Sequence, residues 1–290
     1  MDEKDYTGWK YWTPTDEELV YLYQDNICPI ELLENEYLII KDRTDDSAIS
    51  FYKKKNNKLE KVNRAAIKIN DPKDGRTKKV YNPRNSEQVC AFDLLHDDDI
   101  PVKLLTGRWG TGKTLLLVTA ALEALREKRF EKIVWIRNNV DVKDTKDLGA
   151  LPGEIIDKLL PFLGPFIDHV GDKQKVEKML KEGQLEVEPL QSLRGRNIEN
   201  AIIICSESEN LTKEHIQLIL ARAAEGSAVW LDGDLRQVDS PIFRKSSGVE
   251  ALLQCLPGDP LFGYVHLMKS ERSATAALAD KLDKYISNFK

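Results

Sequence analysis

Gly107-Arg108-Trp109-Gly110-Thr111-Gly112-Lys113-Thr114 satisfies every fixed position of the phosphate-loop pattern G-x-x-x-x-G-K-[ST]. Glycine is needed there because the backbone must turn tightly and aim successive N–H groups at phosphate oxygens, where a Cβ would collide. Lys113 has the reach and charge for the β- and γ-phosphates, and the Thr114 hydroxyl can ligate Mg²⁺. The chemistry indicated is capture of a nucleoside triphosphate and attack on its terminal phosphorus.

Such a site also needs an acid at the end of a buried strand, for magnesium and the attacking water. Ala201 to Ser206 reads as that strand, followed by Glu207, Ser208, Glu209 and Asn210. Glu207 is the candidate for orienting the water. The usual magnesium-side carboxylate falls one residue earlier, where this chain has Ser206; a hydroxyl can hold a magnesium-bound water but brings no charge. Asp232-Gly233-Asp234-Leu235-Arg236-Gln237 ends the next strand, and its acidic and amide groups could sense the γ-phosphate or hold the water. A tight Asp-Gly turn explains the same residues without chemistry. Arg272, just after the last strand, could stabilise transition-state charge, or be a solvated cation. Gln88 could read an adenine edge through its amide, although the same segment is a good helix start with Asn85 or Ser86 as cap.

The elements that must position these groups are legible as periodicities. Ile100 to Leu105 reads as a short buried strand entering the loop, and Leu115 to Arg126 as the helix leaving it. That helix N-terminus adds positive potential at the phosphates. Further apolar strands are expected at Lys132–Arg137, Ser227–Asp232 and Gly263–Leu267, with helices near 153–170, 213–225, 248–255 and 274–287. Apolar strands alternating with helices imply an α/β fold with a parallel sheet covered on both faces, its ligand beyond the strands' carboxyl ends.

The first eighty residues are organised differently. Thr13-Pro14-Thr15-Asp16-Glu17-Glu18 supplies a cap, a proline and first-turn acids for a helix continuing through Leu19–Tyr23. Glu36–Lys41 and Ala48–Tyr52 read as strands across a polar turn at Asp42–Asp46, Lys53–Lys58 as a charged hairpin tip, and Val62–Ile69 as another strand. Lys73–Lys79 is polar enough for a linker. The division expected is a small, β-rich α+β accessory module over 1–80 and a P-loop core over 81–290, without internal repeats.

With 41% hydrophobic and 31% charged residues the chain has the composition of a soluble globular protein. Four widely spaced cysteines without a C-x-x-C pair argue against a zinc site or disulfide framework and for reduced thiols. No membrane-length apolar run and no secretory pattern at Met1–Asp5 occur, so a cytoplasmic location is expected. A net charge of -5 excludes a broadly basic nucleic-acid binder while leaving room for a local basic groove.

Gly107–Thr114, Leu148-Gly-Ala-Leu-Pro-Gly153, Pro189-Leu-Gln-Ser-Leu-Arg-Gly-Arg196, the strand ending in Glu207–Asn210 and Gly233-Asp234…Gln237…Asp239 occur in one order. Over residues 82 to 287 this arrangement resembles the PhoH family of P-loop ATPases, whose core is similar to the first motor domain of superfamily 1 helicases. The resemblance implies a RecA- or helicase-like fold and ATP hydrolysis with Mg²⁺ coupled to RNA or single-stranded DNA. It implies adenine reading for Gln88, γ-phosphate sensing for Gln237 and a finger role for Arg272. The family usually has Asp-Glu-Ala-Gln-Asn where this chain has Ser206-Glu-Ser-Glu-Asn210. Trp109 is also unusual and could shield the phosphates or touch a neighbouring chain. The first eighty residues hold no acidic nuclease cluster to match the family's fused nuclease domain. A short chain with an altered acidic motif resembles a phage-encoded, stand-alone branch.

For nucleic acid, Arg194 and Arg196 could grip phosphates, Arg137 lies beyond a strand end, Lys53–Lys58 could extend a basic path, and Trp9, Tyr11 and Trp12 could stack on bases. Each also reads as solvated charge or module packing. One phosphate loop and no room for a second motor domain imply a homo-oligomer, by family analogy a hexamer. A nucleotide-held switch with very slow hydrolysis is the alternative, motivated by Ser206. A small-molecule kinase is disfavoured for want of an acceptor-base lid.

Overall fold

A computed structural model describes residues 6–25, 28–45, 47–63, 66–70, 77–137 and 163–271. The chain begins with a four-stranded sheet, β1 (Trp9–Trp12), β2 (Tyr37–Lys41), β3 (Ala48–Lys55) and β4 (Lys58–Lys61), in sequence order. Helix α1 (Asp16–Asp25) joins β1 to β2. Its start is a reciprocal cap: the Glu18 N–H donates to Thr15 Oγ1 at 3.2 Å, and the Thr15 N–H to Glu18 Oε2 at 2.7 Å. A small hairpin, β5 (Ile67–Asn70) with β6 (Thr77–Tyr81), leads on to helix α2 (Ser86–His96). Asn85 is the cap of α2, its side chain accepting from the Gln88 N–H.

Two expectations for this region need correction. The strand expected from Val62 begins only at Ile67. Thr77–Lys79, expected in a linker, belongs to β6. The hairpin tip expected at Lys53–Lys58 is present: Lys53–Lys55 end β3, Lys58 begins β4, and the turn is Asn56–Asn57, both at positive φ as a two-residue hairpin requires.

The second sheet is built from β7 (Val102–Gly107), β8 (Lys132–Arg137), β9 (Leu185–Pro189), β10 (Ala201–Cys205), β11 (Ala228–Gly233) and β12 (Phe262–Leu267). Every pairing is parallel, in the order β12-β7-β11-β10-β8-β9. Helix α3 (Lys113–Arg126) follows β7. Between β8 and β10 lie α4 (Gly164–Val170) and α5 (Lys173–Lys181); α6 (Lys213–Leu220), α7 (Pro241–Lys245) and α8 (Gly248–Cys255) come later. Alternation along the strands assigns their side chains to two cores. Ile133, Trp135, Ile202 and Ile204 pack with α2, α3, α4 and α5, whereas Val134, Ile136, Ile203 and Cys205 pack with α6 and α8. Both faces are therefore covered, which is why β10 and β11 are buried along their whole length. Among the described cysteines none is bonded to another.

The hydrophobic core runs across the expected boundary at residue 80: Trp9, Tyr37, Ile39, Phe51 and Ile67 belong to the cluster beneath α2 and α3. Polar contacts reinforce this seam. The His266 N–H donates to Thr7 O, Trp9 Nε1 to His266 O, and Asn35 Nδ2 to Phe262 O, all at 2.9 Å, so the N-terminal segment lies along edge strand β12. Lys53, only 4% exposed, is held by Asp93 and Asp97 of α2 at 2.7 and 2.6 Å. It is a clamp between β3 and the C-terminal end of α2 and no part of a basic path. Trp9 and Trp12 are likewise buried, while Tyr11 stays partly open beneath Lys41.

Candidate nucleotide-binding site

Strand β7 lies between β11 and β12, which come much later in the chain, so the phosphate loop emerges beside the carboxyl ends of β11 and β10. That is the switch point at which open α/β sheets take ligands. The loop turns on glycines at positive φ, Gly110 at 74° and Gly112 at 94°, and Gly112 caps α3. The Lys113 ammonium donates to Gly107 O at 2.7 Å and Arg108 O at 3.0 Å, across the mouth of the loop. Thr111 is fully buried, its hydroxyl donating to Arg108 O. A cavity of about 300 Å³ opens over the loop, lined by Lys113, Thr114, Glu207, Asp232 and Asp234 among others.

The carboxyl ends of β10 and β11 form a network against this loop. Thr114 Oγ1 donates to Asp232 Oδ2 at 2.5 Å, and the Glu207 N–H donates to Asp232 Oδ1 at 3.0 Å. Glu207 adopts φ 57°, an uncommon left-handed conformation for a side chain, and the turn it makes aims its N–H at Asp232. Burial raises the Asp232 carboxyl, while Thr114, Lys113 and the Glu207 N–H pull it back down. Glu209 is pushed up to about 7 by burial and accepts from the Asp234 N–H at 3.0 Å. Gly233 permits this approach, since a Cβ there would stand 2.9 Å from Ser208 Oγ and 3.1 Å from Glu209 Oε2. Asp234 in turn accepts from Gln237 Nε2 at 2.6 Å.

A second cavity of about 550 Å³ shares Gly110, Gly112, Leu115 and His169 with the first and extends over Tyr81, Gln88 and Phe92. Its apolar and amide lining suits a planar base. Gln88 already uses one donor and one acceptor on the main chain, Nε2 to Thr111 O at 3.1 Å and Oε1 from the Arg84 N–H at 2.9 Å. Its amide thereby ties the start of α2 to the phosphate loop.

The donor set fits a magnesium nucleotide: main-chain N–H groups and an ammonium for phosphate, hydroxyl and carboxylate oxygens for a hard cation, an amide-edged slot for a base. A family model described as PhoH-like protein matches residues 80–284. The chain belongs to the PhoH-like family. It is 37% identical over 209 residues to Protein PhoH2 of Bacillus subtilis, covering 69% of this chain and 47% of that one. To Protein PhoH2 of Mycolicibacterium smegmatis it is 35% identical over 207 residues, covering 70% and 47%. The PhoH-like chain thus spans about half the length of the curated relatives it matches. Among solved structures, the Pif1 helicase of Candida albicans matches at 15% identity and a TM-score of 0.35, covering 68% of this chain and 42% of that one. A likeness that loose carries no conclusion. Family and phosphate loop together support a P-loop ATPase, and among the described residues no helix is long and apolar enough to cross a membrane.

Of the residues singled out in the PhoH-like sequence, Gly107–Thr114, Gln88, Ser206, Glu207, Asp234 and Gln237 surround these two connected cavities or the strand ends beside them. Arg272, the Arg137 side chain and Leu148–Gly153 lie outside the described residues. The residue before Arg272 is tied to the loop, since the Glu271 N–H donates to Gly110 O at 2.9 Å and Glu271 Oε1 accepts from Asn85 Nδ2 at 3.0 Å. Arg194 is exposed, whereas Arg196 is paired with Glu186 and Glu188 of β9. His169 on α4 and Glu271 were not anticipated, because neither sits in a pattern that predicts a site. Asp232 was readable as a strand-end acid, but its contact with Thr114 depends on which strand neighbours β7.

Proposed function

We propose that this chain binds ATP with Mg²⁺ at the phosphate loop, hydrolyses it, and couples the cycle to RNA or single-stranded DNA. One observation carries the reading: Lys113, Thr114, Glu207, Asp232 and Asp234 converge on a single cavity at the carboxyl ends of adjacent parallel strands. In this reading the loop N–H groups and Lys113 hold the β- and γ-phosphates, and Thr114 helps hold the metal. Magnesium supplies charge neutralisation at the phosphates when bound. Glu207 orients the water and takes its proton as the water oxygen bonds to the γ-phosphorus and the bond to the ADP oxygen breaks. Gln237, through Asp234, senses the γ-phosphate, Gln88 borders the base, and Arg272 supplies transition-state charge.

Residues 81–290 would act as the ATPase core with 1–80 as an accessory module, in a homo-oligomer, a hexamer by family analogy. Exposed Arg194 is the best-placed phosphate contact for a nucleic-acid strand. Steady-state ATP hydrolysis with and without single-stranded RNA or DNA tests the coupling. A rise with either strand supports it; a rate unmoved by both contradicts it. A slowly hydrolysing switch is the second reading, favoured by the uncharged Ser206 just after β10.

A further inference from the structure

We propose that Asp232 supplies, from the adjacent strand, the magnesium-side carboxylate that β10 lacks at Ser206. The assignment rests on the magnesium–ATP reading and adds the residue that would complete its metal site.

The register places the exchange. Cys205 of β10 pairs with Leu231 of β11, so the next residues, Ser206 and Asp232, stand level at the carboxyl ends of neighbouring parallel strands. Strand β11 is also the one that touches the loop-bearing strand, with Asp232 paired to Leu105 of β7. A carboxylate moved from 206 to 232 therefore shifts one strand toward the phosphate loop and stays at the same depth. Its side chain points there: Asp232 Oδ2 accepts from Thr114 Oγ1 at 2.5 Å. A magnesium ion on the Thr114 hydroxyl would meet this carboxylate.

The surroundings fix Asp232 in that pose. It is only 2% exposed, and its other oxygen accepts from the Glu207 N–H at 3.0 Å. The Ser208 hydroxyl donates to the Asp232 main-chain oxygen at 2.6 Å, locking the turn after β10 onto the end of β11. Thus the turn that positions Glu207 is built around the Asp232 carboxylate. A serine at 206 then leaves the charge count of the site intact: one carboxylate faces Thr114, and it comes from β11. Among the described residues no group of three His, Cys, Asp or Glu side chains could hold a metal by itself. Magnesium shared among a hydroxyl, one carboxylate and nucleotide phosphates needs no such cage.

The test is Mn²⁺ binding followed by electron paramagnetic resonance, with a non-hydrolysable ATP analogue present, for wild type, Asp232→Asn and the exchanged pair Ser206→Asp/Asp232→Ser. Asparagine keeps the shape and one of the two accepting oxygens, and thermal melting checks that the variant folds. Asp232→Asn is expected to weaken Mn²⁺ about 10- to 100-fold, with binding of the analogue in EDTA little changed. The exchanged pair is expected to recover most of the loss. Wild-type Mn²⁺ affinity in a folded Asp232→Asn protein would overturn the assignment. So would an exchanged pair that folds and binds analogue in EDTA but not Mn²⁺, which keeps the test alive if Asp232→Asn does not fold. Failure of wild type to bind the analogue even without metal would instead overturn the ATP reading, and this assignment with it.

Discussion

Asn210 and Asp239 hold each other by two hydrogen bonds: Asn210 Nδ2 donates to Asp239 Oδ2 at 2.7 Å, and the Asp239 N–H donates to Asn210 Oδ1 at 3.0 Å. The pair joins the turn that carries Glu207 to the loop that carries Asp234 and Gln237. Neither residue lines the phosphate cavity. Asp239→Ala leaves the buried Asn210 amide with one partner fewer and should cost about 1–3 kcal/mol in urea denaturation. Hydrolysis should fall with it, because Glu207 and Asp234 lose their common brace. A double-mutant cycle with Asn210→Ala should show strong coupling; additive losses would mean that the two loops are held independently.

The two arginines around Gly195 should separate in a nucleic-acid titration. Arg194 is exposed, so Arg194→Ala should weaken single-stranded RNA evenly across sequences and lower the salt slope by about one. Arg196 is bonded to Glu186 at 3.0 Å and to Glu188. Burial works against its charge, but both acids raise its affinity for the proton. Arg196→Ala should therefore cost stability as well, visible as a lower melting temperature without any RNA. Equal RNA losses with unchanged melting for both would contradict this division of roles.

Lys103 gives the fold a pH dependence with a definite sign. It lies inside β7, 4.8 Å from the Trp230 ring, donating to Leu95 O at 3.3 Å. Burial depresses it from 10.5 to about 7. Between those values the unfolded chain binds the proton and the folded one does not, so stability rises with pH across that window. One such group contributes a slope of up to about 1.4 kcal/mol per pH unit. That stability is complete above the unfolded value and is lost as pH falls toward about 7. Lys103→Met should flatten the dependence in urea denaturation between pH 7 and pH 10 (both about the ends of the window); an unchanged slope would show that Lys103 stays charged when buried.

Much of this architecture was legible in the residues. The phosphate loop with its strand and helix, and the five apolar strands at 102–107, 132–137, 201–205, 228–233 and 262–267, follow from glycine spacing and buried-strand patterning. Other strands did not, two of them for instructive reasons. Leu185–Pro189 interleaves acids with apolar residues because it is a sheet edge whose Glu186 is neutralised by Lys132 and Arg196. Trp9–Trp12 becomes a strand by pairing with β2, while its Trp9 indole bonds to β12, contacts no local pattern encodes. Lys53 misled for a similar reason: the acids that bury it, Asp93 and Asp97, lie some forty residues onward on α2. At the site, residue types were readable but partners were not. Ser206 looked like a missing charge because the strand beside it, and so Asp232, is set by the sheet order.

The most direct measurement is release of inorganic phosphate from Mg²⁺–ATP by the purified chain and by Lys113→Ala. Lys113 already spans the loop carbonyls of Gly107 and Arg108, and its removal deletes the ammonium placed for the terminal phosphates. The account predicts phosphate release by wild type that falls at least about 100-fold in the variant, a loss of the size expected for a group that stabilises transition-state charge. Equal release by both proteins, or none from wild type on any strand, would contradict an ATPase at this loop.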